Sequence, residues 1–531
     1  MNIPLTPIRF LKRARQQFGR KTGVVDGDQS WTYAEYDSRC RQLANLILSW
    51  GLPAARPAAF LAYNTHHLLE AYYGVPLARN VFLPLNIRLA AEDFRFILDD
   101  CQASALFLHS DFLPEISQIR PHLRKVKRFV LLDEVDEPPT WAEAQSYDAL
   151  LAEQSPELDL DVMGVDEDSV AEMFYTSGTT GHPKGVQLTH RNLYLHALEA
   201  ALALEGSDRD VQLHTIPLFH VNGWGTPQFL TCLGGRHIML PKFDPQLVFE
   251  AIQDQGVTVF SVVPSMAISL VNAPQRKRYD FSSVRLINIG GAAANYHLVR
   301  QVEQVFGCRC MAGYGLTETC PALTTGRVKK HLCAQGRQRL EIQAMTGYPL
   351  PGAELEIWDE EGKPLPWDGQ SVGEIVVRGD MVMAGYWNRP QENAQAFQGG
   401  WFHTGDMASI DPDGYVLIVD RKKDIIISGG ENISSLEVEK AMLGHPSVLE
   451  CAVIAVPDPQ WGEVPMALVV LKNGRQASRE ELIEYSRSQL AHFKAPRRVD
   501  FYDELPKGGT GKILKRQLRE NYWASEKKRV H

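Results

Sequence analysis

The chain has 531 residues, 44% of them hydrophobic and 22% charged, with a net charge of −9. That length exceeds a single hydrophobic core and suggests roughly two to four structural units of a soluble globular protein. The acidic balance argues against a general nucleic-acid binder, which carries a basic excess, but leaves room for a local basic pocket around a phosphorylated ligand.

In chain order, the opening "MNIPLTPIRFLKRARQQFGRK" is basic and has no apolar h-region, so it does not read as a secretory signal. The cysteines, at positions 40, 101, 232, 308, 310, 320, 333 and 451, form no CxxC pair. They are expected to be free thiols in a reducing compartment rather than a zinc site or a disulfide framework.

The stretch "YTSGTTGHPKGV", Tyr175 to Val186, carries the strongest chemical signal. It packs hydroxyls and glycines between an apolar strand, "SVAEMFY", and a helix, "THRNLYLHALEA", with Thr189 as the N-cap. Glycines let a backbone approach a polyanion and turn N–H groups toward it; hydroxyls add donors and Lys184 adds charge. The spacing is not the P-loop pattern, because no Ser or Thr follows the lysine.

Further on, "HIMLPKF" reads as a strand. Asp244 is the expected N-cap of a helix over "PQLVFEAIQDQ", with Gly256 at its C′ position. "VTVFSVVP" and "VRLINIGGAAA" are further strands. The first belongs to the longest apolar stretch, which Pro264 interrupts and which is too short to span a bilayer. Apolar strands separated by amphipathic helices predict an α/β fold with parallel sheets covered by helices on both faces.

After about residue 345 the pattern changes to short strands and polar turns, which predicts a β-rich antiparallel region. A small α+β segment follows. Ser434–Glu437 and Ser478–Glu481 are expected capping boxes, and "ECAVIAVPD" and "MALVVLK" are strands. The charged run "DRKKD", residues 420 to 424, suits an exposed linker. No internal repeat is present. "PKGGTGKILKR" near the C-terminus is glycine-rich with Lys512, yet Ile513 stands where a P-loop needs Ser or Thr. "KKRVH" is not a peroxisomal address, and the expected compartment is cytoplasmic.

Five stretches in order, "YTSGTTGHPKGV", "GYGLTET", "WFHTGDMA", "DRKKDIIISGGENIS" and "PKGGTGKILKR", resemble the motifs of the adenylate-forming superfamily. The resemblance runs from roughly residue 25 to 520 and looks most like the fatty- and organic-acid CoA ligases. It implies ATP-dependent formation of an acyl-AMP, then transfer to coenzyme A. It implies an adenylation domain over 1–420 (β-rich subdomain about 345–420), a hinge at 421–424 and a mobile C-terminal domain over 425–531.

The resemblance also implies residue roles. Thr176, Ser177, Gly178, Thr179, Thr180 and Lys184 would hold the β- and γ-phosphates, and Glu318 would hold Mg²⁺. Tyr314, with Gly315 and Thr317 in the same motif, and Gly290, Gly291 and Ala292 would enclose the adenine. Asp406 would take the ribose hydroxyls, Arg421 would add a ribose or phosphate contact, and Lys423 would be the hinge. His220 and Trp224, which spacing alone reads equally as a core pair, would border the acyl pocket with Gly291. Gly429, Gly430 and Glu431 would face the pantetheine channel. Lys512 would be the lysine of the adenylation half-reaction, with Lys515 and Arg516 as surface charge. The implied substrates are a carboxylic acid, ATP and CoA, with the acid expected to be short to medium in length. No nucleic acid or membrane span is expected, and a homodimer is a weaker expectation. Delivery of the acyl group to a carrier-protein phosphopantetheine is the alternative.

Overall fold

A computed structural model describes residues 2–158, 162–176, 183–292, 294–429, 431–508 and 513–523. The fold is α/β, with two large mixed sheets, a four-stranded antiparallel sheet and a C-terminal five-stranded sheet. Helix His66–Leu77 is buried along its whole length. It packs against helix Tyr33–Ser49, which closes around it with Leu43, Ala44 and Ile47 in the largest core. A helix apolar on every face needs protein on every face, and packing against strands and a second helix provides it.

The nine-stranded sheet has a parallel centre, with Leu286–Ile289 between Val259–Val262 and Arg309–Gly315. Its edges turn antiparallel, through Gln29–Thr32 on one side and Ala322–Thr325 on the other. The large sheets are thus mixed, parallel at the centre and antiparallel at the edges, where short polar connections allow direct reversal.

Local signals map closely onto the helices. Asp244 accepts from the backbone N–H of Gln246 at 2.8 Å, and the helix Pro245–Gln255 ends on Gly256 at φ 63°. Thr189 and Asn192 form a reciprocal cap, as do Ser478 and Glu481. Ser434 caps Glu437 N at 3.1 Å, but the Glu437 carboxylate bonds Lys494 Nζ at 2.8 Å instead of returning to the cap. "HIMLPKF" contributes only His237 and Ile238 to a three-residue strand.

The run 420–424 is less exposed than its charge suggests. Asp420 and Asp424 are buried. Asp420 accepts from Ser435 N at 2.5 Å, and Asp424 pairs with Arg519 at 2.7 Å. Only Lys422 and Lys423 face solvent. Lys515, read as surface charge, is mostly buried: it pairs with Glu439 at 2.7 Å and donates to Ser435 Oγ at 2.6 Å, with Asp420 and Asp424 close by. Three carboxylates brought from distant positions make that burial tolerable. Arg516 does stand in solvent.

Candidate active site

Thr176 ends strand Val170–Thr176 and lies opposite Lys184, the first residue of the antiparallel strand Lys184–Thr189. The phosphate-loop residues Ser177, Gly178, Thr179 and Thr180 lie outside the described residues. The loop therefore closes a hairpin, not a strand-to-helix turn. The helix capped by Thr189 begins a strand length away, about 20 Å, so its N-terminal N–H groups cannot serve a ligand at the loop.

Lys184 Nζ forms an ion pair with Glu392 and sits 5.1 Å from the Tyr386 ring centroid. The Tyr386 hydroxyl donates to Glu318 Oε1 at 2.9 Å. A two-residue strand, Gly385–Tyr386, pairs with Gln187 and Val186 and so delivers Tyr386 to this place. The Glu318 carbonyl accepts from Met383 N at 2.8 Å, which fixes the backbone as well. Burial pushes the Glu318 carboxyl above its usual value, against the Tyr386 hydrogen bond and the Arg421 charge, while Asp406 pushes the same way as burial. Tyr386 and Glu392 are absent from the sequence-derived set. Their only signal is a "GYW" turn followed by a Pro-initiated helix, Pro390–Ala396.

A second cluster joins two sheets. The Tyr314 hydroxyl donates to Asp406 Oδ2 at 2.7 Å, and Arg421 Nε lies 3.3 Å from Asp406 Oδ1. Asp406 and Arg421 are direct partners across adjacent strands. Asp406 is buried, and burial beside this carboxylate pushes the Tyr314 phenol well up. Gly315 is required by close backbone approach: a Cβ there would stand 1.8 Å from the Pro321 carbonyl. Thr317 is buried in the turn that follows.

Gly290, Gly291 and Ala292 follow strand Leu286–Ile289 at its carboxyl end. The Trp224 indole lies against the glycines; a Cβ on Gly290 would meet its Cη2 at 2.9 Å. Trp224 thus covers the Gly290–Gly291 turn, and the residues expected at adenine and at the acyl chain share one wall. Half-buried His220 precedes five consecutive residues of positive φ, Val221 at 48°, Asn222 at 52°, Gly223 at 51°, Trp224 at 58° and Gly225 at 72°. The turn is left-handed, which spacing at i, i+4 could not reveal.

The C-terminal unit reaches the same end of the molecule. Lys507 bridges to Ile513 on either side of the loop containing Lys512, which is itself outside the described residues, as is Gly430. Arg88 Nη1 donates to Gly508 O at 3.3 Å. Arg88 follows strand Val81–Pro84, the parallel neighbour of Val170–Thr176, so the loop base docks beside the strand that leads into the phosphate loop. Gly429 is exposed at φ 60°, and a Cβ there would meet Trp461 at 2.5 Å. Glu431 is exposed, and Lys423 shares its carbonyl with Arg519 Nη1 at 3.2 Å.

The AMP-binding enzyme family model matches residues 11–387, and the AMP-binding enzyme C-terminal domain model matches residues 437–512. The chain belongs to the AMP-binding enzyme family. Within that family it is 37% identical to the long-chain-fatty-acid–CoA ligase of Thermus thermophilus, over 97% of this chain and 95% of that one. It is 36% identical to the peroxisomal butyrate–CoA ligase AAE11 of Arabidopsis thaliana, over 98% and 93%. The crystal structure of the anthranilate CoA ligase AuaEII in complex with anthranoyl-AMP superposes with a TM-score of 0.88 at 25% identity, covering 98% of each chain. Among the described residues, no helix is long and apolar enough to cross a membrane.

Proposed function

We propose that this AMP-binding enzyme activates a short- or medium-chain carboxylic acid. The enzyme is an ATP-dependent acid–CoA ligase: the carboxylate displaces pyrophosphate from ATP to give acyl-AMP, and the CoA thiol then displaces AMP. The carrying observation is the convergence of Lys184, Tyr386 and Glu318 with Tyr314, Asp406 and Arg421, the last two close enough to act on the Glu318 carboxylate. That gives one compartment with a cation for phosphates, a carboxylate for a metal and a carboxylate for a ribose.

In this reading Thr176 to Thr180 and Lys184 hold the β- and γ-phosphates. A nucleotide must draw Lys184 away from Glu392, its present partner. Two of the roughly four acceptor sites on Asp406 are used by Tyr314 and Arg421, which leaves two for the ribose hydroxyls. Arg421 keeps that carboxylate oriented. Lys512 bridges the acid's carboxylate and the α-phosphate, where negative charge accumulates.

Glu318 suits a hard divalent cation: it offers oxygen donors, and its charge is disfavoured by burial until a positive partner arrives. Mg²⁺ supplies charge neutralisation to the phosphates when bound. Gly429, Gly430 and Glu431 border the pantetheine arm, with Trp461 packed against Gly429 as the wall.

Trp224 limits the acid. Its indole lies against Gly290 and Gly291, where the acyl chain would have to pass. A CoA-thioester screen over about twenty carboxylic acids tests the reading, with higher kcat/KM for hexanoate than for hexadecanoate expected. Equal values would remove Trp224 as the determinant. Trp224→Ala is expected to shift the ratio toward the longer acid by roughly 10-fold or more, 10-fold being the lower end of what one methylene is worth in an apolar pocket.

A further inference from the structure

On the N-terminal side of the molecule, His66 and His67 open the helix His66–Leu77. Both side chains are more than nine-tenths buried, and their rings lie 3.9 Å apart. Each Nδ1 is held. His66 Nδ1 lies 2.8 Å from Asp26 Oδ2, and His67 Nδ1 lies 3.1 Å from Thr65 Oγ1. The Thr65 hydroxyl also reaches the Tyr63 carbonyl at 3.5 Å, which would free it to accept from His67. With the proton of each ring on Nδ1, the tautomer these contacts accommodate, each Nε2 carries a lone pair. Both Nε2 atoms are buried and have no hydrogen-bond partner among the described residues. Ligand atoms of His66, His67 and Asp148 all lie within 4.8 Å of one another.

We propose that His66 and His67, through Nε2, and Asp148, through a carboxylate oxygen, form a zinc site that joins helix Tyr147–Ala152 to the start of helix His66–Leu77.

The surroundings match what a zinc ligand set needs. The His66–Asp26 pair is the carboxylate–histidine arrangement that orients a ligating imidazole and raises its basicity. Arg39 Nη2 donates to Asp148 Oδ1 at 2.6 Å while its Nε binds Glu70 Oε1. Arg39 can keep that oxygen and leave the other for the metal, which makes it a partner of the ligating carboxylate and not a rival. Half of the Asp148 side chain is exposed, so solvent can complete a tetrahedron. Two imidazoles exclude Mg²⁺, which separates this site from the adenylation chemistry.

The test uses the full chain without an affinity tag, stripped with a chelator and titrated with Zn²⁺, Co²⁺ and, as a control, Mg²⁺. One equivalent of Zn²⁺ per chain is expected, with a rise in Tm and a visible Co²⁺ ligand-field spectrum. Asp148→Ala, at a half-exposed position that leaves the fold intact, and Asp26→Asn should each weaken Zn²⁺ binding about 10- to 100-fold. His67→Ala, checked by circular dichroism, should abolish it. Unchanged Zn²⁺ binding in Asp148→Ala and Asp26→Asn, or less than one equivalent in the parent chain, overturns the assignment.

Discussion

The Tyr386 hydroxyl donates to Glu318 Oε1 at 2.9 Å, across a sequence separation of 68 residues. Tyr386 therefore decides how readily a carboxylate in a dry site carries its charge. Removing the hydroxyl leaves only a backbone hydrogen bond and the Arg421 charge to oppose burial, whose effect is to favour the proton. Tyr386→Phe keeps the ring beside Lys184, so it isolates the hydrogen bond. A hydrogen bond to a charged group contributes about 1.5–3 kcal/mol. The expected result is a 10- to 100-fold fall in pyrophosphate release at low Mg²⁺, partly recovered at high Mg²⁺. Equal loss at all Mg²⁺ concentrations would mean that Tyr386 serves only the fold.

The same carboxyl sets a pH limit. Its value in the folded chain is raised above 4.5, so activity that needs ionised Glu318 is lost as pH falls through that raised value. The acid limb of the pyrophosphate-release profile should lie above pH 4.5 and move to lower pH as Mg²⁺ increases. An acid limb that ignores Mg²⁺ belongs to another group.

Lys512 gives an asymmetric expectation. Lys512→Ala should reduce acyl-AMP formation by two or more orders of magnitude, since in the proposed role it supplies a cation where negative charge develops. Thioester formation from supplied acyl-AMP should survive. An equal drop in both halves would make Lys512 a general binding residue.

Lys515 is predicted to matter for stability rather than catalysis. Lys515→Met leaves the Glu439 carboxylate buried without its partner, at a cost of about 3–5 kcal/mol. Limited proteolysis should then cut the C-terminal unit first, and Lys515→Met combined with Glu439→Leu should recover most of the loss. No recovery in the double variant would show that Asp420 or Asp424 is the dominant partner.

Glu199 is buried, and that burial, with Asp380 adding, raises its carboxyl to about 7. Between pH 4.5 and 7 the unfolded chain has released this proton while the folded chain still holds it. Stability from this group is therefore full below pH 4.5 and falls as pH rises to about 7. Glu199→Gln should flatten that part of the stability curve and raise Tm at pH 7.5 relative to the parent. An identical pH dependence in the variant would mean that Glu199 is ionised throughout.

What the sequence made legible is local. Thr189 with Asn192, Asp244 with Gly256, and Ser478 with Glu481 are caps whose partners lie within a few residues, so composition and spacing suffice. Much of what lies outside local spacing is long-range. Tyr386 reaches the site because two residues pair with a strand some 200 positions earlier, and Lys515 is buried because three distant carboxylates surround it. The charged run at 420–424 looked exposed for the same reason: the partners of Asp420 and Asp424 are Ser435 and Arg519. The hairpin at Thr176–Lys184 was missed because "GVQLT" is too short to announce a strand beside a strong helix signal.

The left-handed turn from Val221 to Gly225 has a consequence for how acid preference can change. Three of its residues carry side chains in a conformation that costs roughly 1–2 kcal/mol each. A β-branched replacement at any of the last four positions makes the backbone less favourable, and glycine in place of Val221, Asn222 or Trp224 relaxes it. With Trp224 as the proposed wall of the acyl pocket, pocket shape and folding energy are tied to the same turn, and a new acid specificity obtained there should arrive with a change in Tm whose sign follows the φ preference of the residue introduced.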